Sequence, residues 1–183
     1  MMIWLRLICV FIKSIFLKPY KRVEDISKES ISLKFRVGFF EADVGHLNNA
    51  RYMTFMESCR LHIMIRTGHF FYARRHKWFP VIGAQCIRYV RPIKRFQIFE
   101  VKSRLIYWDR TSLYFEHIFE SNREIVAYGY IKVIWVKDGK VIPSREAFEC
   151  VGFEYKEMPE PEVIKAWKQY ERSQHKHIKS ISK

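Results

Sequence analysis

One stretch of the sequence joins two different hydrophobic patterns, and it reads Phe40-Glu41-Ala42-Asp43-Val44-Gly45-His46-Leu47-Asn48-Asn49-Ala50-Arg51-Tyr52. Before it, residues 32–40 form a short and mainly apolar run, which is typical of a β-strand. After it, hydrophobic residues recur at the i, i+3, i+4 and i+7 spacing of one buried helix face. These residues are Tyr52, Phe55, Met56, Cys59 and Ile63. The stretch therefore predicts a strand, a polar break and then a long helix.

The predicted helix carries suitable residues at both ends. Asn48 or Asn49 can act as the N-cap, because an Asn side chain accepts a hydrogen bond from the first free backbone N–H groups. Gly68 stands where a helix would end, since glycine adopts the left-handed conformation common there. The polar residues of the segment fall off the apolar face, and they are Thr54, Glu57, Ser58, Arg60 and His62.

The chain from Pro80 to about residue 142 has the pattern of strands separated by turns. Val101, Ser103, Leu105 and Tyr107 alternate with Lys102, Arg104, Ile106 and Trp108. Turn residues stand at 109–110, 121–123 and 138–139. A strand, a long helix and four further strands predict an α+β fold in which the helix packs on a mostly antiparallel sheet.

The junction around Asp43 resembles a known family signature. An Asp, then a His, an apolar residue, two Asn and a Tyr follow one another as in thioesterases related to 4-hydroxybenzoyl-CoA thioesterase and to plant acyl-ACP thioesterases. Residues 99–109 look like the third strand and turn of the thioesterase superfamily member 6 group, and the whole resemblance covers about residues 32–148. It implies a hotdog fold, with a long central helix wrapped by an antiparallel sheet of about five to six strands, and a homodimer or higher homo-oligomer.

The resemblance also implies an acyl-CoA or acyl-ACP thioesterase that acts on a fatty or aryl acyl thioester. Asp43 would be the general base on water or the nucleophile itself. His46 would polarise the carbonyl or the water, and Asn48 and Asn49 would place the helix N-terminus near the developing oxyanion. Gly45 would let the chain pass close to the acyl group, beside Tyr52. The same residues also have structural interpretations, as turn formers, helix caps and, for Tyr52, a core side chain.

The charge of the chain points to an anionic partner. The formal net charge is +14 at pH 7, and no Asp or Glu occurs between Ser58 and Phe99. Such a field favours nucleic acid, an anionic membrane face or a phosphorylated small molecule. In a CoA thioesterase the phosphates of CoA would be the partner, and the candidate contacts are Arg88, Arg91, Lys94 and Arg95. Nucleic acid is the less favoured partner, because the chain has no RNP1 or GXXG signature.

The sequence predicts three regions. Residues 1–22 are apolar and basic, and they suit a helix in a membrane interface. A helix docked on the protein and a secretory signal are open alternatives, although no small-residue cleavage site follows the apolar run. Residues 30–150 would form the hotdog domain, and residues 151–183 a short C-terminal helix, roughly Glu162 to Tyr170, with a basic tail frayed after Ser173. No CxxC pair occurs among the four cysteines, so we expect no metal and no cofactor. Reduced thiols favour a cytoplasmic protein, peripheral on a membrane if the N-terminal segment binds one.

Two further hypotheses stay open beside the enzyme. A hotdog protein without turnover could bind acyl groups or act as a scaffold at a membrane, because a shared fold does not guarantee a shared activity. A basic nucleic-acid-binding protein is the third hypothesis, and steep salt dependence of RNA binding would indicate it.

Overall fold

The structure is a computed structural model, and it describes residues 30–182. Within these residues the strands are β1 (Ile31–Arg36), β2 (Ala42–Asp43), β3 (His46–Leu47), β4 (Phe79–Tyr89), β5 (Ile98–Trp108), β6 (Ser112–Ser121), β7 (Glu124–Lys137) and β8 (Lys140–Ile142). The helices are α1 (Asn49–Arg66), α2 (His69–His76), α3 (Ser144–Glu149) and α4 (Glu162–Ile181). A single 3-10 turn at Phe39–Glu41 precedes β2.

The main sheet has six antiparallel strands. Their order is β1-β5-β6-β7-β4, and β8 pairs with β7. The consecutive strands β5, β6 and β7 form a meander, whereas β1 and β4 are the edges of the sheet. Strands β2 and β3 form a separate hairpin in front of α1. The predicted α+β fold, a long helix wrapped by an antiparallel sheet of five to six strands, is confirmed.

Helix α1 supplies the centre of the core. All five residues of its predicted apolar face are buried, from Tyr52 to Ile63. The Phe55 ring lies 4.9 Å from that of Phe35 on β1 and 4.8 Å from that of Phe99 on β5. Ser58 and Ile65 are also buried, so the buried face is wider than the i, i+3, i+4 pattern predicts. The sheet curls around the helix and covers residues that a flat sheet would leave in water.

The ends of α1 follow the sequence prediction. Asn48 is the N-cap, and its side-chain oxygen accepts a hydrogen bond from the N–H of Ala50. The helix ends at Arg66, and Gly68 follows with φ of 85°, a conformation that glycine adopts without steric cost. The Asn48 side-chain amide therefore lies where the β2–β3 hairpin leads into α1.

Three features differ from the sequence prediction. Helix α2 follows α1 after a left-handed residue at Gly68, where the sequence predicted only a stop. The alternation in β5 breaks at a register shift between Leu105 and Tyr107, and Trp108 rather than Tyr107 is buried. Such a bulge moves every later side chain to the other face of the strand.

The third difference is the length of the C-terminal helix. Helix α4 continues to Ile181 instead of ending near Tyr170 with a frayed tail. Ile164 is fully buried, and the Lys168 ammonium lies 2.9 Å from Asp109 Oδ2 and 2.7 Å from Glu160 Oε1. These contacts attach the first half of α4 to the turn between β5 and β6, so the helix extends from a fixed base.

The predicted interfacial helix at 1–22 lies outside the described residues. Among residues 30–182, no helix combines the length and the apolar character needed to cross a bilayer.

Candidate active site at the start of the long helix

The β2–β3 hairpin presents the Asp43 and His46 side chains at the surface. These two residues pair across the hairpin, with Val44 and Gly45 at its tip. The tip residues have φ of 45° and 89°, the two positive values of a tight two-residue hairpin turn. Positive φ is uncommon for a β-branched residue, and Val44 is 97% exposed. The chain thus tolerates backbone strain at a tip that makes no core contacts, a combination found at functional loops.

The Asn48 side chain connects the hairpin to the helix. Its amide Nδ2 donates a hydrogen bond to Asp43 Oδ2, and its Oδ1 accepts one from the Ala50 N–H at 2.8 Å. One side chain therefore caps α1 and holds the Asp43 carboxylate in front of the helix N-terminus. The sequence offered a cap and a catalytic interpretation of Asn48, and the geometry is compatible with both.

The first backbone N–H of α1 is available to a ligand. Among residues 30–182, the Asn49 N–H donates no hydrogen bond. It stands at the positive end of an 18-residue helix, where unpaired N–H groups attract negative charge. The carbonyl of Asn49 accepts a hydrogen bond from the Tyr89 hydroxyl at 3.2 Å, which joins the end of β4 to the same helix end.

The His46 side chain is exposed, and its hydrogen bond to the backbone is long. Its Nδ1 lies 3.3 Å from the Leu47 carbonyl oxygen, an arrangement that suits a hydrogen on Nδ1. That tautomer leaves Nε2 as an acceptor that faces solvent. The His46 backbone pairs with Asp43 across the hairpin and forms an isolated bridge with Lys94, so these three residues are neighbours along the backbone pairing.

A remote segment supports the hairpin from behind. The Leu47 N–H donates to the Ile93 carbonyl at 2.7 Å, and the Arg95 N–H donates to the Gly45 carbonyl at 2.9 Å. Ile93 is fully buried, so the 93–95 segment is anchored in the core and fixes the position of the hairpin. Through these two bonds the structure brings Lys94 and Arg95 beside the predicted catalytic loop.

The four predicted CoA-contacting cations occupy different environments. Arg95 is half-buried, with its guanidinium 4.7 Å from the centroid of the Phe39 ring, and it supports the loop. Arg91 forms an exposed ion pair with Glu124. Lys94 and Arg88 are exposed. Of the four, Lys94 and Arg88 are therefore the ones whose charge is most available to an anion.

Tyr52 lies beneath the site rather than at its surface. It is 2% exposed, and its ring packs 4.9 Å from Tyr89 and 5.0 Å from Phe119. Burial raises the pKa of Tyr52 to about 12, so the phenol stays protonated at neutral pH. Its predicted contact with a ligand stays a prediction, whereas its position as a core support is clear.

Tyr89 is the site residue that sequence analysis did not assign to the loop. Its contact with Asn49 depends on where β4 ends after pairing with β7, and no local pattern in the sequence indicates that.

The described part of the chain has no metal-binding cluster. No group of three His, Cys, Asp or Glu side chains within residues 30–182 could hold a metal ion. The site at Asp43 thus consists of a carboxylate, an imidazole, helix N–H groups and a nearby ammonium, which are the components of acid–base and oxyanion chemistry.

The fold and this loop define the class of protein. Residues 37–167 match the thioesterase-like superfamily, and the chain belongs to that family. The predicted resemblance to the hotdog-fold thioesterase family is confirmed.

Two curated relatives and one solved structure show the similarity in detail. Protein THEM6 of Danio rerio is 32% identical over 140 residues, which cover 76% of this chain and 65% of that protein. Protein THEM6 of Drosophila melanogaster is 25% identical over 126 residues, which cover 68% of this chain and 63% of that protein. The chain thus spans somewhat less than two thirds of the length of these relatives. A thioesterase from Thermus thermophilus, solved in complex with coenzyme A and Zn, is 29% identical with a TM-score of 0.57, covering 63% of this chain and 86% of its own.

Proposed function

We propose that this chain hydrolyses acyl thioesters, with Asp43 as the general base or nucleophile and the N-terminus of α1 as the oxyanion donor. The observation that carries the proposal is the position of the Asp43 carboxylate. Asn48 holds it at the same helix end at which the Asn49 N–H has no partner within residues 30–182. A base and an oxyanion donor on one helix end are the two groups that acyl transfer to water requires.

The reaction follows from these groups. Asp43 takes a proton from a water molecule, whose oxygen attacks the thioester carbonyl carbon. The carbonyl oxygen becomes an oxyanion that accepts a hydrogen bond from the Asn49 N–H, and loss of one such donor typically costs about 3 kcal/mol of barrier. The intermediate then expels the thiolate, which takes up the proton, and a free carboxylate remains. In the other route, the Asp43 carboxylate attacks the carbonyl carbon and the thiolate leaves as the C–S bond breaks, and water then hydrolyses the resulting anhydride to the free acid and the Asp43 carboxylate.

We propose acyl-CoA as the substrate class, with acyl-ACP as the alternative. Both carriers have phosphate groups, and the exposed Lys94 lies beside the loop on the 93–95 segment. Arg88 near the end of β4 is the second available cation. The Thermus thermophilus thioesterase, to which this chain is similar, was solved with coenzyme A, and this supports the choice.

A second copy of the chain would complete the site. Asp43, Val44, Gly45 and His46 are all exposed, so residues 30–182 of one copy do not shield this loop from water. Strand β4 is an edge of the sheet, is 11 residues long and exposes Phe79, Val81, Ile82 and Tyr89. A long apolar edge strand favours pairing with another strand. Two copies that pair through β4 around a two-fold axis would cover this surface and border both loops.

The segment 1–22 would hold the domain on an anionic membrane surface. This proposal is independent of the catalytic one and rests on the apolar run of residues 2–17, in which Arg6 and Lys13 lie seven positions apart and so on one face of a helix. Co-sedimentation of the full chain and of a form lacking residues 1–22 with phosphatidylserine vesicles tests it. Equal sedimentation of the two forms would contradict it.

The test of the enzyme proposal is hydrolysis of a panel of acyl-CoA thioesters by the wild type and by Asp43→Asn. We expect turnover of at least one thioester and a loss of about 10²-fold or more in the variant, the contribution of a general base. Asp138→Asn is the matched control, because Asp138 lies in the β7–β8 turn away from the loop. No turnover by folded wild-type protein would favour an acyl-binding or scaffold protein, and tight, salt-sensitive RNA binding would favour the nucleic-acid hypothesis.

A further inference from the structure

Four large hydrophobic residues in and beside the Asp43 loop face solvent. Phe39 and Phe96 are each 56% exposed, Phe40 is 72% exposed and Val44 is 97% exposed. The Phe39 and Phe40 rings lie 5.3 Å apart, edge to face. A single exposed hydrophobic side chain is common, whereas several large ones on one surface mark a site for a partner or a membrane.

Backbone hydrogen bonds join the two loops that carry these residues. The Phe96 N–H donates to the Val37 carbonyl at 3.1 Å, on one side of the segment. The Arg95 N–H donates to the Gly45 carbonyl at 2.9 Å, and the Arg95 guanidinium lies 4.7 Å from the centroid of the Phe39 ring. Residues 37–45 and 94–97 therefore form one continuous surface, and their four exposed hydrophobic side chains are called the apolar patch below.

Two residues of the apolar patch have a strained backbone. Val44 has φ of 45° and Phe96 has φ of 65°. Positive φ is uncommon outside Gly, Asn and Asp, and it is an outlier for a β-branched or bulky residue. Gly or Asn would be more stable at both turns, whereas Val and Phe hold an apolar group in solvent. Strain of this kind indicates a functional surface, because neither residue gains core contacts in return.

The charges around the apolar patch favour an anionic partner. Arg36 at the end of β1 and Lys94 beside the hairpin are both exposed. Glu41 is buried, and its carboxylate accepts a hydrogen bond from the Gly38 N–H at 2.7 Å. The exposed acid of this surface is Asp43, which accepts a hydrogen bond from Asn48. Apolar side chains bordered by cations are suited to an anionic membrane interface.

The proposed pairing of two copies through β4 leaves the aromatic residues of the patch uncovered. Phe39 and Phe40 follow β1, and Phe96 precedes β5. In the sheet, β1 is the edge opposite β4, and β5 is next to it. A second copy bound along β4 therefore lies at the other edge of the sheet.

We propose that the apolar patch docks the domain on an anionic membrane surface, with Phe40 and Phe96 in the interface and Arg36 and Lys94 at the lipid headgroups. Lipid suits this surface better than nucleic acid, because bases stack on aromatic rings and the most exposed residue, Val44, has none. The inference goes beyond the proposed hydrolysis, since docking needs no reaction at Asp43. Where both hold, the Asp43 loop works at the membrane surface.

The experiment is co-sedimentation of the full chain with vesicles of equal parts phosphatidylserine and phosphatidylcholine. The double variant Phe40→Ser, Phe96→Asn should bind about fivefold more weakly or worse, because it loses two rings that enter the interface. Asn tolerates positive φ, so the midpoint of urea denaturation should stay unchanged or rise. Phe71→Ser is the matched control, because Phe71 is exposed on α2, beyond the other end of α1, and it should bind like the wild type.

Several results would overturn the proposal. Wild-type affinity of the double variant for the vesicles is the first, and a loss of RNA binding instead would assign the patch to nucleic acid. A shift of the double variant from dimer to monomer in sedimentation velocity would assign the patch to a second copy. Tighter vesicle binding by the double variant would show that the patch holds residues 1–22 of its own chain.

Vesicle binding is measured without hydrolysis, so this inference and the enzyme proposal can fail separately. Binding that depends on Phe40 and Phe96 in a chain without thioester turnover would support docking and contradict the enzyme proposal. Turnover with wild-type vesicle affinity in the double variant would do the reverse. The double variant keeps residues 1–22, so its loss of binding is also distinct from the effect of removing that segment.

Discussion

Asn48 donates a hydrogen bond from its side-chain amide to the Asp43 carboxylate while the other end of that amide caps helix α1. The position of the proposed base is thus coupled to the start of the longest helix in the core. Substitutions can separate these two functions of Asn48. Capping of α1 needs only a side-chain hydrogen-bond acceptor, whereas the contact with Asp43 needs a side-chain donor long enough to reach the carboxylate.

Substitution of Asn48 tests this coupling. Asn48→Ser keeps a capping oxygen, so we expect little change in stability, but it loses the reach to Asp43, and turnover should fall by roughly 10²-fold. Asn48→Ala loses both contacts and should also cost about 1 kcal/mol of unfolding free energy. Urea denaturation and turnover with one acyl-CoA give the two numbers. Wild-type turnover in Asn48→Ser would show that the amide contact does not position the base.

Lys94 should contribute to recognition of the carrier rather than to chemistry. Lys94→Gln is expected to raise KM for an acyl-CoA roughly fivefold with kcat nearly unchanged, since an exposed ion pair contributes up to about 1 kcal/mol. The same acyl group on N-acetylcysteamine, which has no phosphate, should show no change in KM. Arg91→Gln is the matched control, because Arg91 is already paired with Glu124. A fall in kcat with both substrates would place Lys94 in the chemical step instead.

Strand β4 should carry the contact between two copies of the chain. Val81→Lys puts a charge on this exposed edge, and we expect a shift from dimer to monomer in sedimentation velocity, with turnover lost in parallel. Val141→Lys is the control, because Val141 has a similar exposure, 46% against 42%, on the short strand β8. A dimer that survives in Val81→Lys would require another interface.

His69 should make the fold sensitive to acid. The ring is buried, with Nε2 2.9 Å from the Ala147 carbonyl oxygen and Nδ1 2.7 Å from the Thr67 hydroxyl. Burial lowers its pKa to about 4 from an ordinary value of 6.5. Between pH 4 and pH 6.5 this histidine is protonated more fully in the unfolded chain than in the folded one. The contribution of the neutral His69 ring to the free energy of unfolding is therefore full above about pH 6.5. It falls by about 3 kcal/mol towards pH 4 and does not fall further below that pH.

Urea denaturation at pH 7, 5.5 and 4 measures this loss. His69→Gln should reduce the dependence of the unfolding free energy on pH, because glutamine can donate to the Ala147 carbonyl without titrating. Some slope will remain, since burial also holds the pKa of His117 low. The control His175→Gln changes an exposed residue of α4 and should keep the full slope. An unchanged slope in His69→Gln would exclude His69 as its source.

Local periodicity gave most of the sequence predictions about the fold. The buried face of α1, its cap at Asn48 and its end before Gly68 were all predicted, because helix spacing and cap chemistry depend on residues within one turn of each other. The strand pattern of residues 80–142 was likewise predicted from alternation and turn residues. Where a bulge interrupts β5 at Tyr107, the alternation no longer predicts the buried face, because one extra residue reverses every later side chain.

The candidate loop was predicted as a set of residues but not as a geometry. The order Asp43, His46, Asn48, Asn49 is visible in the sequence, whereas the contact of Asn49 with Tyr89 and the support of the hairpin by Ile93 are not. Both depend on strand β4 pairing with β7 and ending beside the helix. Pairing of distant segments is decided by the packing of the whole sheet, so no local pattern encodes it.

The sequence by itself determined the class of fold, the long helix, the loop in front of it and the cationic character of the chain. Only the tertiary structure decided which distant side chains meet. It placed the Tyr89 hydroxyl on the Asn49 carbonyl, and it placed Lys94 rather than Arg91 as the available cation beside the loop. The physical reason is the distance along the chain over which each effect acts. Periodicity and capping involve residues a few positions apart, whereas burial and pairing of polar groups depend on how the sheet curls around the helix.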